Sequence, residues 1–167
     1  RVAGLRRVDE VRVVRAWPHG VGIHLAERRP VLLIRKGGGD RRRYVEVDAA
    51  GVRFATVEDA PQGIPFLSLE KRPTGPANQR SGSAALRRAA ADVVTDLPAR
   101  ARREARTVRV GSYDGITVEL TGDRTVRWGS PERGAAKGTA LGALMKAAPD
   151  AARFDVSAPT APATAGN

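Results

Sequence analysis

The spacing of apolar residues changes period four times along the chain, and that order restricts the fold more than any other feature. Up to Leu69 the apolar residues alternate, which is the strand period: Val11 and Val13, then Val21, Ile23 and Leu25, then Val45 and Val47, then Val52 and Phe54, then the short piece IPFLSLE. From Ser83, which reads as an N-cap, Leu86, Ala89, Ala90, Val93, Val94 and Leu97 recur at helical spacing. Pro98 ends that helix or opens a short second one through Glu104. The strand period then returns in Val108 and Val110, in Ile116, Val118 and Leu120, and in Val126 and Trp128. Turns at Tyr113-Asp114-Gly115 and Gly122-Asp123 make these three strands a meander. A further helix is expected from Pro131 to about Ala148, with Ser130 as cap and Pro131 at the first helical position. Its apolar stripe is Ala140, Leu141, Leu144, Met145 and Ala148. RFDVS is a last extended piece, and the Pro/Ala/Thr-rich residues 158–167 are expected to be a disordered tail. Strands, helix, strands, helix, strand is the order of an α+β domain: an antiparallel β-sheet with helices packed on one face.

The first two strands pose a separate problem. RVVRAWPHGVGIHLAERRPVLLI reads as a hairpin turning at Pro18-His19-Gly20. A lone hairpin is marginal in water and needs a cover over its apolar face. Only ten residues stand before Val11, too few to supply one, so the covering elements are expected upstream of Arg1. Beyond the hairpin, residues 35–43 hold three glycines and several basic residues and read as a solvent loop, after which YVEVDAAGVRF turns at Gly51.

Composition narrows the function classes. Hydrophobic residues make up 41% of the chain, enough for a folded domain. Cysteine is absent, which removes disulfides, thiolate chemistry and sulfur-based zinc sites. The longest apolar run, Val31-Leu32-Leu33-Ile34, is far too short to span a bilayer. The net charge of +11 invites a nucleic-acid reading. However, the arginines are dispersed and no aromatic stacking platform interleaves them, so no nucleic acid is expected as a partner.

Chemistry-bearing patterns are missing as well. His19 and His24, both in the hairpin, have no further ligands spaced to join them around a metal. There is no Gly-x-Ser-x-Gly elbow. Gly129-Ser-Pro-Glu-Arg-Gly134 has the glycine spacing of a phosphate loop, but Ala135-Ala136 stand where Lys and Ser/Thr are required. Asp48, Asp114 and Asp123 sit at glycine turns, where aspartate side chains bond the backbone. No catalytic residue, metal or cofactor is expected, and the chain is read as not an enzyme.

Several segments, in order and over most of the chain, resemble the extracytoplasmic part of the bacterial cell-division protein family FtsQ (DivIB), of the actinobacterial type. They are VDEVRVVRAWPHGVGIHLAERRPV, VDAAGVRF, IPFL, GDRTVRWGSPERGAAKGTALGALM and FDVSAP. The resemblance implies a single-pass membrane protein whose cytoplasmic tail and one transmembrane helix precede a POTRA domain and a larger β domain. On that map residues 1–34 are the last two strands of the POTRA domain, 35–157 the FtsQ-like β domain and 158–167 the tail. It also implies a scaffold at the division septum that binds FtsB (DivIC)-like and FtsL-like bitopic partners and helps regulate septal peptidoglycan synthesis.

In that family the final β-domain strand offers an open edge to a partner strand. Carried onto this chain, the partner-binding residues are Phe154, Asp155, Val156 and Ser157. Where the proteobacterial pattern continues with an aromatic and a further strand, this chain has Ala158-Pro159, and proline cannot donate to a ladder, so a short edge is expected. Two other readings stay open on sequence alone: a POTRA-bearing docking module of another membrane assembly, and a basic nucleic-acid-binding domain.

Overall fold

The computed structural model describes residues 7–16, 20–70 and 82–166. Among the described residues the strands form two sheets. β1 (Val8–Ala16) and β2 (Gly20–Glu27) form an antiparallel hairpin. Of the expected hairpin turn at Pro18-His19-Gly20, Pro18 and His19 lie outside the described residues, as do residues 71–81.

A nine-stranded sheet holds the rest. Its strands are β3 (Leu32–Lys36), β4 (Arg43–Val47), β5 (Arg53–Val57), β6 (Phe66–Leu69), β7 (Ala105–Ser112), β8 (Gly115–Leu120), β9 (Thr125–Gly129), β10 (Arg153–Asp155) and β11 (Ala163–Ala165). Their spatial order is β11-β10-β9-β8-β7-β6-β3-β4-β5. The expected α+β class holds, and β7-β8-β9 is the antiparallel meander that the sequence suggests. The sheet as a whole is mixed, because β3 with β6, β6 with β7 and β9 with β10 run parallel. Alternation of side chains identifies a strand, but carries no information on the direction of its partner.

Among the described residues three α-helices cover one face. α1 (Ser83–Asp96) buries Ala89, Ala90, Ala91, Val93 and Val94. Gly82, not Ser83, is its N-cap, and the Ser83 hydroxyl instead accepts a bond from Arg87 Nη1 at 3.2 Å. Leu97 is extended, as the residue before a proline prefers, so α1 stops there. The short α2 (Ala99–Glu104) follows from Pro98.

α3 (Gly134–Ala147) begins three residues later than Pro131 suggests. Arg133 has φ of 58°, a left-handed conformation that cannot belong to the helix, and no side chain caps the helix start. Of the expected stripe, Leu141 and Met145 are buried, while Gly134, Lys137 and Gly138 complete the packed face. Small residues let this helix lie against the end of α1: a Cβ placed on Gly138 would stand 2.3 Å from the Asp96 carbonyl oxygen.

Between helices and sheet lies one core. Leu32, Val47, Leu67, Val108, Val110, Ile116, Val118, Leu120, Val126, Trp128, Phe154 and Val156 meet the buried helix residues there. Full burial of each such aliphatic or Phe side chain contributes about 1.5–3 kcal/mol.

Leu32 and Leu33 are fully buried in the large sheet, so the division expected at residue 34 falls inside β3, and the connection between the sheets is residues 28–31. Residues 158–167 are not wholly irregular. Ala163–Ala165 form β11, held by backbone pairing to β10 and not by burial, which is why an apolar pattern does not reveal it.

Candidate partner-binding edge

The turn chemistry read from sequence is visible at Asp48. Its Oδ1 accepts from the backbone N–H of Ala50 (2.9 Å) and of Val52 (2.8 Å), and Gly51 has φ of +74°. At Gly122-Asp123 both residues have positive φ, which suits the tight β8–β9 turn closed by Leu120 N–H to Arg124 O at 2.8 Å.

These turns hold structure. Among the described residues, no group of three or more His, Asp or Glu is placed to hold a metal ion. Lys137, buried at the start of α3, donates from Nζ to the Ser130 carbonyl at 2.7 Å. Burial pushes its pKa down, partly offset by Glu132 and Asp114, and its role is to tie the loop before α3 to the helix. Many arginines are locally paired: Arg88 with Asp92, Arg100 and Arg124 with Glu104, Arg109 with Glu119, and Arg127 with Asp155. The positive charge is therefore spread over ion pairs and isolated side chains.

The partner site expected from sequence lies at β10. α3 carries the chain from β9 back to a parallel β10, placing Arg153, Phe154 and Asp155 opposite Thr125, Val126 and Arg127. Phe154 and Val156 point into the core and are almost fully buried. Asp155 points to the uncovered face. Its Oδ1 accepts from Ser157 N–H (2.9 Å) and Ser157 Oγ (2.6 Å), and its Oδ2 accepts from Arg127 Nη1 (3.3 Å). Partial burial alone would raise the Asp155 pKa; the bonds from Ser157 and the Arg127 charge outweigh it and hold the carboxyl below its ordinary value.

On this side of the sheet the outermost described strand is β11. β11 pairs antiparallel with β10, Arg153 opposite Ala165, Phe154 opposite Thr164 and Asp155 opposite Ala163. β10 thus has a neighbour on each side, and Phe154 to Ser157 do not form the outer strand. Proline is no obstacle, because Pro159 and Pro162 both fall outside the three-residue ladder.

Hydrogen-bonding directions alternate along a strand, so the outer row can be derived. Thr125 N–H bonds Ala152 O (2.9 Å) and Val156 N–H bonds Arg127 O (3.0 Å). Residues 152, 154 and 156 therefore face β9, and Arg153 and Asp155 turn their backbone groups to β11. Their partners Ala165 and Ala163 face back, which leaves the N–H and C=O of Thr164 directed away from the sheet.

The two outer strands differ in kind. β5 carries Arg53, lies beside a register shift at Glu46/Val47, and is followed by Glu58, which pairs with Arg43. Charge and bulges are the usual protection of a sheet edge. β11 is Ala-Thr-Ala, exposed at all three residues, with no charge and no bulge. A depression of about 270 Å³ lies beside it, lined by Thr125, Arg127, Arg153, Ala163, Thr164 and Ala165 among others.

The chain matches no family model. Curated relatives are more informative. It is 55% identical to the cell division protein FtsQ of Streptomyces griseus over 98% of this chain and 76% of that relative. It is 52% identical to FtsQ of Streptomyces venezuelae over 98% of this chain and 58% of the relative. It is also 35% identical to FtsQ of Mycobacteroides abscessus, over 97% of this chain and 47% of that relative. The chain thus spans three quarters of one relative and about half of the longer ones. Quoted segments, mixed α+β fold and near-complete coverage by relatives agree: the chain belongs to the FtsQ family of cell-division proteins.

Proposed function

We propose that this chain is the extracytoplasmic part of a single-pass membrane scaffold at the division septum. It acts by binding FtsB/DivIC-like and FtsL-like bitopic proteins and so helps regulate septal peptidoglycan synthesis, without catalysis of its own. Among the described residues no helix is long and apolar enough to cross a membrane, and the proposal places the anchor in the remainder of the protein. The uncovered apolar face of the hairpin supports the same arrangement. Val13, Val21, Ile23 and Leu25 are each more than half exposed, as expected of two POTRA strands that pack on elements outside this stretch.

One observation carries the reading: the sheet ends in an uncharged, unbulged strand whose central residue turns its backbone outward. An extended partner segment can add there, with backbone bonds giving affinity and alternate side chains giving selection. The docking strand is accordingly β11, at Thr164, with Phe154 to Ser157 as the strand and turn that hold it in place. Co-purification of the intact membrane protein with FtsB-like and FtsL-like partners tests the function. Capture of both supports it, and failure to capture either, with the POTRA region present, overturns it.

A further inference from the structure

The hairpin and the large sheet are joined by four residues, 28–31, and by little else: among the described residues, no element of the nine-stranded sheet packs extensively against β1 or β2. Such a joint would ordinarily be a free hinge. Here both its ends are tied. Arg28 N–H donates to Arg7 O at 2.9 Å, which closes the hairpin, and Val31 N–H donates to Val47 O at 2.8 Å, which opens the sheet. Pro30 between them has a fixed φ.

The Arg28 side chain spans the joint. Its Nη1 lies 3.4 Å from Asp9 Oδ1 on β1 and bonds Asp48 Oδ2 in the turn after β4. The Asp48 side chain is only 8% exposed and Arg28 only 22%, so this pair is sheltered from the solvent screening that weakens most surface ion pairs. Asp48 is also unable to swing away, because its other oxygen holds the N–H groups of Ala50 and Val52. Among the described residues it is the one ion-pair cluster that reaches from the hairpin to the large sheet.

We infer that Arg28 is a positioning residue, a pin that bridges Asp9 and Asp48 and fixes the direction of the hairpin relative to the nine-stranded sheet. Removing it leaves both sheets folded and frees the joint. Given the function proposed above, on which this consequence alone rests, the pin sets where a membrane-tethered protein holds its docking edge.

The chain contains no cysteine, so spin labels can be placed cleanly at exposed positions, His24→Cys on β2 and Ala136→Cys on α3. Distances between them are then measured by pulsed electron spin resonance in the whole chain. A single narrow distribution is expected with Arg28 present, with loss of that narrow distance in Arg28→Ala and in Arg28→Gln at an unchanged circular dichroism spectrum. Arg28→Lys, which keeps charge but not the forked geometry, should give an intermediate width. An unchanged narrow distribution in Arg28→Ala or Arg28→Gln overturns the inference, as does a broad one in the parent chain. If Arg28→Ala fails to fold, Arg28→Gln decides. If both unfold the nine-stranded sheet, Arg28 is a core stabiliser and the pin is refuted.

Discussion

Replacing Gly138 by alanine in α3 should destabilise the protein, against the usual rule for a helix. In an open helix, Gly→Ala stabilises by roughly 0.5–1 kcal/mol because glycine loses more backbone freedom on folding. At Gly138 the new methyl would sit 2.3 Å from the Asp96 carbonyl oxygen, at the end of α1. That atom is backbone, so relief requires α3 to move from α1. Overpacking of this sort costs about 1–3 kcal/mol, which over most of its range exceeds the propensity gain and leaves a net loss of up to about 2.5 kcal/mol. For a chain of this size, each kcal/mol corresponds to roughly 2–4 °C in Tm. Gly142 is the internal control. Its nearest atom would be Pro98 Cβ at 3.7 Å, an ordinary contact, so Gly142→Ala should raise Tm. Thermal and urea unfolding of both variants measure the contrast. Equal stabilisation by the two substitutions would refute the idea that close backbone approach fixes α3, and with it the placing of β10 by that helix.

Other expectations are simpler. Lys137→Ala removes a buried stem and its bond to Ser130 O, and should cost about 2–4 kcal/mol in urea unfolding; Lys137→Met, which keeps the volume, should cost less. The Asp155 carboxyl is held below its ordinary value, so its contribution to stability is present above the unfolded value near about 3.9 and is lost as pH falls through the lower folded value. Asp155→Asn should lack that acid-side decline, seen by comparing stability from neutral pH down to the acid limb. Ile23→Ser, on the exposed hairpin face, should change unfolding of the large sheet by less than about 0.5 kcal/mol.

Where local rules govern the chain, the sequence is readable. The period of α1 places Ala89, Ala90, Val93 and Val94 in the core, and the meander strands follow from alternation and glycine turns. What escapes depends on partners distant in sequence. The parallel alignment of β3, β6 and β7 is a property of the assembled sheet, not of any one strand. The start of α3 is misplaced by sequence because Pro131 suits a first turn, whereas the chain makes a left-handed step at Arg133 first. β11 passes for tail because Ala-Thr-Ala buries nothing. The chain reverses after β10 in the turn closed by Ala161 N–H to Ala158 O, following the Asp155–Ser157 side-chain bonds. With that reversal the edge shifts by one strand.

Addition of partners to the outer side of β11 is the centre of the proposed function, and proline substitution tests it most directly. Thr164 directs its N–H outward, so Thr164→Pro removes an edge donor without breaking the β10–β11 ladder. Affinity of the intact protein for FtsB-like and FtsL-like extracytoplasmic segments should be measured for the parent, for Thr164→Pro and for a chain ending at Ser157. Both changes are expected to weaken binding at least about tenfold, or about 1.4 kcal/mol, with Tm of the sheet preserved in Thr164→Pro. Unchanged binding by Thr164→Pro, or tighter binding once β11 is removed and β10 becomes the edge, would contradict it.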